Sequence, residues 1–266
     1  MNRYVALGSS MAAGPGIAPR APGSPRRAMR SARNYPHLLA ADLDLDLVDV
    51  TYSGATTAQV LTDPQNGTPP QVTTLDGTES LVTITIGGND IAYVPGMYVA
   101  SLPGALRLLP VVGARLRSVL DRTTREVALA EVADSLIEVG SVVRERSPQA
   151  RVVFVDYLTL LPPAGERSFP LRARDADLAR HLASRLESLT AEAAAATGCE
   201  VLGAAAASRE HHAWSADPWT VGAVLPLPGR PLAYHPNATG MRRVADLLAA
   251  HLGGSHGEEA QENSTR

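Results

Sequence analysis

The sequence contains no lysine, so arginine supplies all 24 of its basic residues, against 27 aspartate and glutamate residues. The formal net charge is only -3. Proteins that bind nucleic acid or acidic membranes usually carry a pronounced basic excess on one face or in one segment. We therefore expect neither nucleic acid nor an acidic membrane surface as a partner.

Cysteine and long apolar runs are also scarce. Cys199 is the single cysteine, so an intrachain disulfide is impossible and an oxidising compartment is not required. No segment approaches the roughly 18 uninterrupted apolar residues of a membrane-spanning helix. No apolar stretch of roughly 7–15 residues precedes the first strand pattern, as a signal peptide would require. We expect a cytoplasmic protein without integral membrane contact, and the sequence leaves the oligomeric state open.

The motifs of common cofactor sites are missing as well. The turn from Gly8 to Gly14 contains neither Gly-x-Gly-x-x-Gly nor a Gly-Lys-Ser/Thr ending, which disfavours a nucleotide- or phosphate-binding module. His211 and His212 are adjacent, and neither a His-x-x-x-His nor a cysteine-rich spacing indicates a zinc site. We expect no metal and no organic cofactor.

What the sequence does contain is an alternation of short β-type runs and helical periodicities, typical of a parallel sheet with helices on both faces. The predicted strands are 4–7, 47–51, 81–86, 151–155 and 200–202, and the predicted helices are 34–43, 114–146, 171–196 and 241–252. Neither a repeat nor a linker interrupts this pattern. We predict one three-layer α/β/α domain of flavodoxin-like type over residues 1–252, followed by a disordered polar tail over 253–266.

Small or polar residues follow three of the predicted strands, at the edge where parallel sheets bind ligands. They are Ser10, Gly54 and Asn89, and a late histidine, His235, precedes the last helix. A serine hydroxyl becomes a nucleophile when a base takes its proton, and imidazole titrates near neutral pH. The backbone N–H groups of Ser10 and Gly54 and the Asn89 amide are candidate donors to an oxyanion. These are the parts of an acyl-transfer site, although spacing alone does not bring them together.

The same four segments, in this order and over nearly the whole chain, resemble the signature blocks of the SGNH/GDSL hydrolase superfamily. Gly8-Ser9-Ser10 is similar to the family's Gly-Asp-Ser turn, and Gly87-Gly88-Asn89-Asp90 matches its Gly-x-Asn-Asp block. The resemblance implies a serine esterase or lipase with Ser10 as the nucleophile and His235 as the base. It also implies an oxyanion hole formed by Ser10, Gly54 and Asn89.

This sequence departs from the family pattern at two positions. Ser9 replaces the usual aspartate of the first block, which leaves two adjacent serines, of which Ser10 aligns with the nucleophile. Leu232 stands where the family's Asp-x-x-His motif has its aspartate, so no carboxylate at that position orients His235. Either the backbone carbonyl of Leu232 accepts a hydrogen bond from the Nδ1–H of His235, or Asp217 folds back and serves as the acid.

The predicted reaction is hydrolysis of a carboxylic ester, with a small-molecule, lipid or carbohydrate ester as the partner. Two alternatives stay open on the sequence. An acyltransferase would use the same acyl-serine but would transfer the acyl group to an alcohol, and a protein with this fold and no activity would act as a binding protein. Neither the natural substrate nor the preferred acyl chain is encoded in these motifs.

Overall fold

Within residues 2–103 and 110–263, which the computed structural model describes, five parallel strands form one sheet. Their order across the sheet is β2-β1-β3-β4-β5, and each neighbouring pair is parallel. The strands are β1 (Arg3–Gly8), β2 (Asp46–Asp49), β3 (Leu81–Thr85), β4 (Arg151–Val155) and β5 (Glu200–Leu202). All five predicted strands are therefore confirmed, because short runs rich in β-branched residues between helical segments are a strong local signal.

Helices connect the strands, as parallel pairing requires. The α-helices of the described chain are α1 (Ser10–Ala13), α2 (Tyr35–Leu43), α3 (Thr57–Leu61), α4 (Tyr93–Ser101), α5 (Pro110–Val119), α6 (Arg122–Arg146), α7 (Ala173–Thr197), α8 (Ala204–Ala207) and α9 (Ala238–Asn263). Asn34 caps α2 by accepting a hydrogen bond from the backbone N–H of His37, and Pro36 lies in the first turn.

The side chains of β1 alternate between the two faces of the sheet and join two separate apolar cores. Val5 and Leu7 pack with the buried faces of α6 and α7, whereas Tyr4 and Ala6 pack with α2 and α9. This two-residue period is a direct consequence of strand geometry. Helices therefore cover both faces, and the predicted three-layer α/β/α fold is confirmed.

Two of the predicted helices differ from those in the structure. The predicted helix 114–146 is two helices, because Asp121 caps α6 by accepting a hydrogen bond from the backbone N–H of Thr124. Helix α9 continues to Asn263, past residue 252, into the segment that we expected to be a disordered tail. Residues 253–263 contain no proline, so the backbone is free to continue the helix. Residues 264–266 lie outside the described part of the chain.

The carboxyl ends of the central strands meet at one edge of the sheet, and the loops that follow β1 and β3 lie side by side there. The backbone N–H of Ser9, directly after β1, donates a hydrogen bond to the carbonyl oxygen of Thr85, the last residue of β3, over 2.9 Å. This contact aligns the two segments that carry the predicted nucleophile and the predicted asparagine. No helix of the described residues has both the length and the apolar character needed to cross a bilayer.

Candidate active site

The predicted nucleophile lies at the sharp turn between β1 and α1. Strand β1 ends at Gly8, Ser9 is the N-cap residue with extended backbone, and Ser10 begins the helical turn. Ser10 is only 7% exposed. The turn therefore presents one hydroxyl at the carboxyl edge of the sheet, where ligands of parallel sheets bind.

The predicted base is in contact with this serine, although 225 residues separate the two in the sequence. The Nε2 atom of His235 lies 2.9 Å from Ser10 Oγ, and the ring is 4% exposed. On the other side of the ring, Nδ1 lies 2.7 Å from the carbonyl oxygen of Ala233. A carbonyl oxygen can only accept, so Nδ1 carries the proton. Nε2 therefore has the free lone pair that a base needs toward Ser10.

The hydrogen-bond acceptor for His235 Nδ1 is neither of the two groups that we predicted. Leu232 was expected to offer its carbonyl, but the acceptor is the carbonyl of Ala233, two residues before the histidine. Tyr234, between them, has a left-handed backbone with φ +58°, which turns this carbonyl toward the ring. Asp217 is 69% exposed and its carboxylate lies 3.4 Å from Nδ1 of His211, so it serves a different histidine.

Burial sets the protonation state of His235. Desolvation lowers the pKa of His235 to about 4, and the hydrogen bond to the Ala233 carbonyl opposes this shift only in part. In the part of the chain that the structure describes, no carboxylate raises the pKa of His235 in the way a triad acid would. The imidazole is consequently neutral at pH 7 and already in the form that accepts a proton.

The three predicted oxyanion donors line one cleft together with this pair. Ser10, Gly54, Asn89 and His235 all border a cavity of about 180 Å³. Gly54 has φ +82°, a conformation that residues with a Cβ rarely adopt, so the backbone at this edge of the cleft requires a glycine. One N–H of the Asn89 amide donates to the carbonyl of Ala55 over 2.8 Å, which orients the side chain. A carboxamide has two N–H donors, so the second is left for the cleft.

A tyrosine that the sequence analysis did not select joins two of the segments. The hydroxyl of Tyr157 lies 2.9 Å from Ser9 Oγ and accepts a hydrogen bond of 3.1 Å from the backbone N–H of Gly88. A Cβ atom at Gly88 would lie 2.3 Å from the tyrosine ring, so the ring needs a glycine there. Tyr157 follows β4 by two residues, and inspection of the residues after the fourth strand, as after the first three, would have found it.

A larger cavity of about 300 Å³ lies elsewhere and contains neither Ser10 nor His235. It is bordered by the segment after β4 and by α7, and burial raises the pKa of Asp156 on its wall to about 7. We place the candidate site at the smaller cleft because the predicted nucleophile, Ser10, and the predicted base, His235, are in contact there. Among the residues described, no cluster of three or more histidine, cysteine, aspartate or glutamate side chains is arranged to hold a metal ion.

Several lipases are similar to this chain in sequence and in architecture. Lipase 2 of Streptomyces coelicolor is 33% identical over 259 residues, which cover 94% of this chain and 85% of that lipase. The crystal structure of phospholipase A1 from Streptomyces albidoflavus aligns with a TM-score of 0.75 and 28% identity, covering 94% of this chain and 98% of the other. The extracellular lipase from Streptomyces rimosus aligns with a TM-score of 0.77 and 25% identity, covering 94% and 99%.

The sequence also matches the GDSL-like lipase/acylhydrolase family over residues 6–243. The matched range contains all four segments on which the resemblance was based. The fold, the residue pattern and lipases related at this level of identity agree with one another. The chain therefore belongs to the GDSL-like lipase/acylhydrolase family of SGNH hydrolases and is a carboxylic ester hydrolase.

Proposed function

We propose that this protein hydrolyses esters through an acyl-enzyme on Ser10, with His235 as the general base. The observation that carries the proposal is the 2.9 Å contact between His235 Nε2 and Ser10 Oγ in a cleft that Gly54 and Asn89 also line. A general base must be within hydrogen-bonding reach of the proton that it removes, and this pair meets that condition.

The proposed cycle has two acyl-transfer steps. His235 takes the proton of Ser10 as Oγ attacks the ester carbonyl, and the resulting oxyanion receives hydrogen bonds from the N–H groups of Ser10 and Gly54 and from the Asn89 amide. Collapse of this intermediate expels the alcohol, to which His235 returns the proton. Water then attacks the acyl-serine with the same base, and the acid is released.

Apolar side chains border the cleft beside the nucleophile. They belong to Pro15, Val94, Pro95 and Leu232. We propose that this wall receives the acyl chain of a lipid ester, consistent with relatives that are named as lipases and a phospholipase A1. An alcohol acceptor in the assay separates hydrolysis from acyl transfer, because a transferase would divert the product from free acid to a new ester. The cytoplasmic location stays a prediction from the sequence.

The proposal is tested by labelling the wild-type protein with a phosphonate ester while hydrolysis of p-nitrophenyl butyrate is followed. We expect stoichiometric loss of activity and one covalent adduct on Ser10, located by fragmentation of the peptide that holds both Ser9 and Ser10. Prior incubation with substrate should slow the labelling. An adduct on another residue, or full activity after modification of Ser10, would overturn the assignment.

Substitution of Asp217 by asparagine is expected to leave kcat within about threefold of the wild type. The reason is that its carboxylate faces His211 and is not in contact with His235. Neutralising a true triad acid costs about ten-thousandfold in kcat, so the two outcomes are well separated. Steady-state kinetics on p-nitrophenyl butyrate measures the difference, and a loss of thousandfold or more would make Asp217 the missing acid.

The pH dependence of hydrolysis is expected to lack the usual histidine step. Because the pKa of His235 is lowered to about 4, the ring is neutral and active above that pH, and kcat/KM should fall only as the pH approaches 4. An unperturbed imidazole would give a midpoint at about pH 6.5. The same depressed pKa contributes stability that is complete above about pH 6.5 and is lost as the pH falls through about 4. Circular dichroism at each pH therefore separates loss of folding from loss of catalysis. A fall of kcat/KM with a midpoint at about pH 6.5 would contradict the buried, neutral ring.

A further inference from the structure

The backbone carbonyl that orients His235 accepts two hydrogen bonds, and the second donor lies on helix α4. Besides His235 Nδ1 at 2.7 Å, the hydroxyl of Tyr98 in α4 donates to the Ala233 oxygen over 2.9 Å. A carbonyl oxygen has two lone pairs, and both are engaged here. Tyr98 also borders the cleft and is 39% exposed, so it lies at the edge of the site, with its hydroxyl bonded to the Ala233 carbonyl.

The peptide that bears this carbonyl is held in an unfavourable conformation. Tyr234, the next residue, has φ +58°, which is uncommon for a residue with a Cβ and persists only where the surroundings impose it. A triad acid would orient the histidine with the carboxylate of its own side chain. The direction of the Ala233 carbonyl instead depends on the backbone around it. The contacts that hold Tyr234 therefore also orient the carbonyl that accepts the hydrogen bond from His235.

Helix α4 and one loop hold Tyr234 in place. Its backbone N–H donates to the carbonyls of Val221 and Gly222 over 3.0 and 3.2 Å. Its fully buried side chain reaches α4, where its hydroxyl is hydrogen-bonded to Ser101 Oγ and its ring packs edge-on against the ring of Tyr98, with centroids 5.6 Å apart. Burial, followed by the neighbouring Tyr234, raises the pKa of Tyr98, so its hydroxyl keeps the proton that it donates.

We propose that Tyr98 is a positioning residue of this enzyme: its hydrogen bond fixes the Ala233 carbonyl that His235 Nδ1 also contacts, and so keeps Nε2 directed at Ser10 without a triad acid. Ser101 acts in the same unit by holding the ring of Tyr234. The inference rests on the proposed function of Ser10 and His235, since a positioning role has meaning only if that pair is catalytic.

The first test compares Tyr98→Phe with Tyr4→Phe. Phenylalanine at position 98 keeps the edge-on ring contact and removes only the hydroxyl, so folding should be preserved. We expect kcat to fall roughly ten- to hundredfold with KM within about twofold, because small displacements of a catalytic group cost rates of that size. Tyr4→Phe removes a buried hydroxyl bonded to Thr83 in the sheet, and its kcat should equal that of the wild type. A Tyr98→Phe enzyme with unchanged kcat, or with only a raised KM, would overturn the proposal.

A second readout does not depend on turnover. The Nδ1 proton of His235, hydrogen-bonded to a carbonyl in a buried site, should give a slowly exchanging resonance in the 15N-histidine-labelled protein. In Tyr98→Phe we expect this resonance to shift and to exchange faster with solvent, and in Ser101→Ala to change in the same direction by less. An unaltered resonance in both variants would overturn the positioning role.

These outcomes are distinguishable from failure of the proposed function. If Ser10→Ala is inactive while Tyr98→Phe is fully active, the serine mechanism stands and the positioning role is wrong. If Ser10→Ala hydrolyses esters at the wild-type rate, the proposed function itself is wrong, whatever Tyr98→Phe shows. The histidine resonance reports on the Ala233 contact in either case.

Discussion

Ser10→Ala is expected to lower kcat for p-nitrophenyl acetate and butyrate by at least about ten-thousandfold, to the residual rate that the oxyanion donors alone provide. Without Oγ there is no atom to form the acyl-enzyme, and His235 has no proton to remove. The substitution deletes one oxygen from a buried position, so the fold should be unaffected. Initial rates measured beside a matched circular dichroism spectrum check both statements.

Ser9→Ala is the matched control for this variant. Ser9 is the neighbouring residue and is equally buried, but its hydroxyl is bonded to Tyr157 and has no contact with His235. We expect its kcat to stay within about tenfold of the wild type, since only an indirect support of the turn is lost. If Ser9→Ala were inactive and Ser10→Ala active, the nucleophile would have been assigned to the wrong serine.

His235→Ala is expected to produce a loss of similar size, about ten-thousandfold or more in kcat. Serine is a weak nucleophile unless a base takes its proton, and the contact of 2.9 Å places His235 within reach of that proton. Truncation also leaves a cavity of the size of the ring, bordered by Ser10 and the Ala233 carbonyl. Added imidazole should therefore bind there and restore part of the activity in a saturable manner.

The imidazole rescue makes this experiment specific. Rescue of His235→Ala, with no effect of imidazole on Ser10→Ala, would identify the lost group as a base and the serine as its target. A His235→Ala enzyme with near wild-type kcat would show that another group removes the proton. Thermal unfolding of the variant must be followed in parallel, because a buried ring of this size contributes to packing.

Local sequence patterns were sufficient to predict most of the fold. Short β-branched runs and helical periodicity are properties of contiguous residues, and for this reason all five strands and the cap at Asn34 are predicted at nearly their observed positions. The break before α6 was missed because apolar periodicity continues across it, while the interruption depends on one side-chain cap at Asp121. The helix beyond residue 252 was not predicted because the polar, glycine-rich composition of that segment favours disorder.

The candidate site also has a part that the sequence could predict and a part that it could not. Ser10, Gly54 and Asn89 follow strands, and a parallel sheet brings the ends of its strands to one edge, so the pattern was sufficient to select them. The acceptor of the histidine was predicted wrongly. The family pattern favoured the carbonyl of Leu232, three residues before His235, and the need for a carboxylate favoured Asp217. A linear sequence does not specify backbone conformation, so neither argument could identify the Ala233 carbonyl.

The sequence by itself determined which groups are available to the candidate site: a serine, a glycine and an asparagine after strands, a histidine before the last helix, and no carboxylate three residues before that histidine. Only the tertiary structure decided how that histidine is oriented. A left-handed backbone at Tyr234, imposed by contacts with α4 and with the loop at Val221, turns the Ala233 carbonyl to the ring. Here contacts with residues distant in sequence hold this conformation, which a residue with a Cβ rarely adopts on its own.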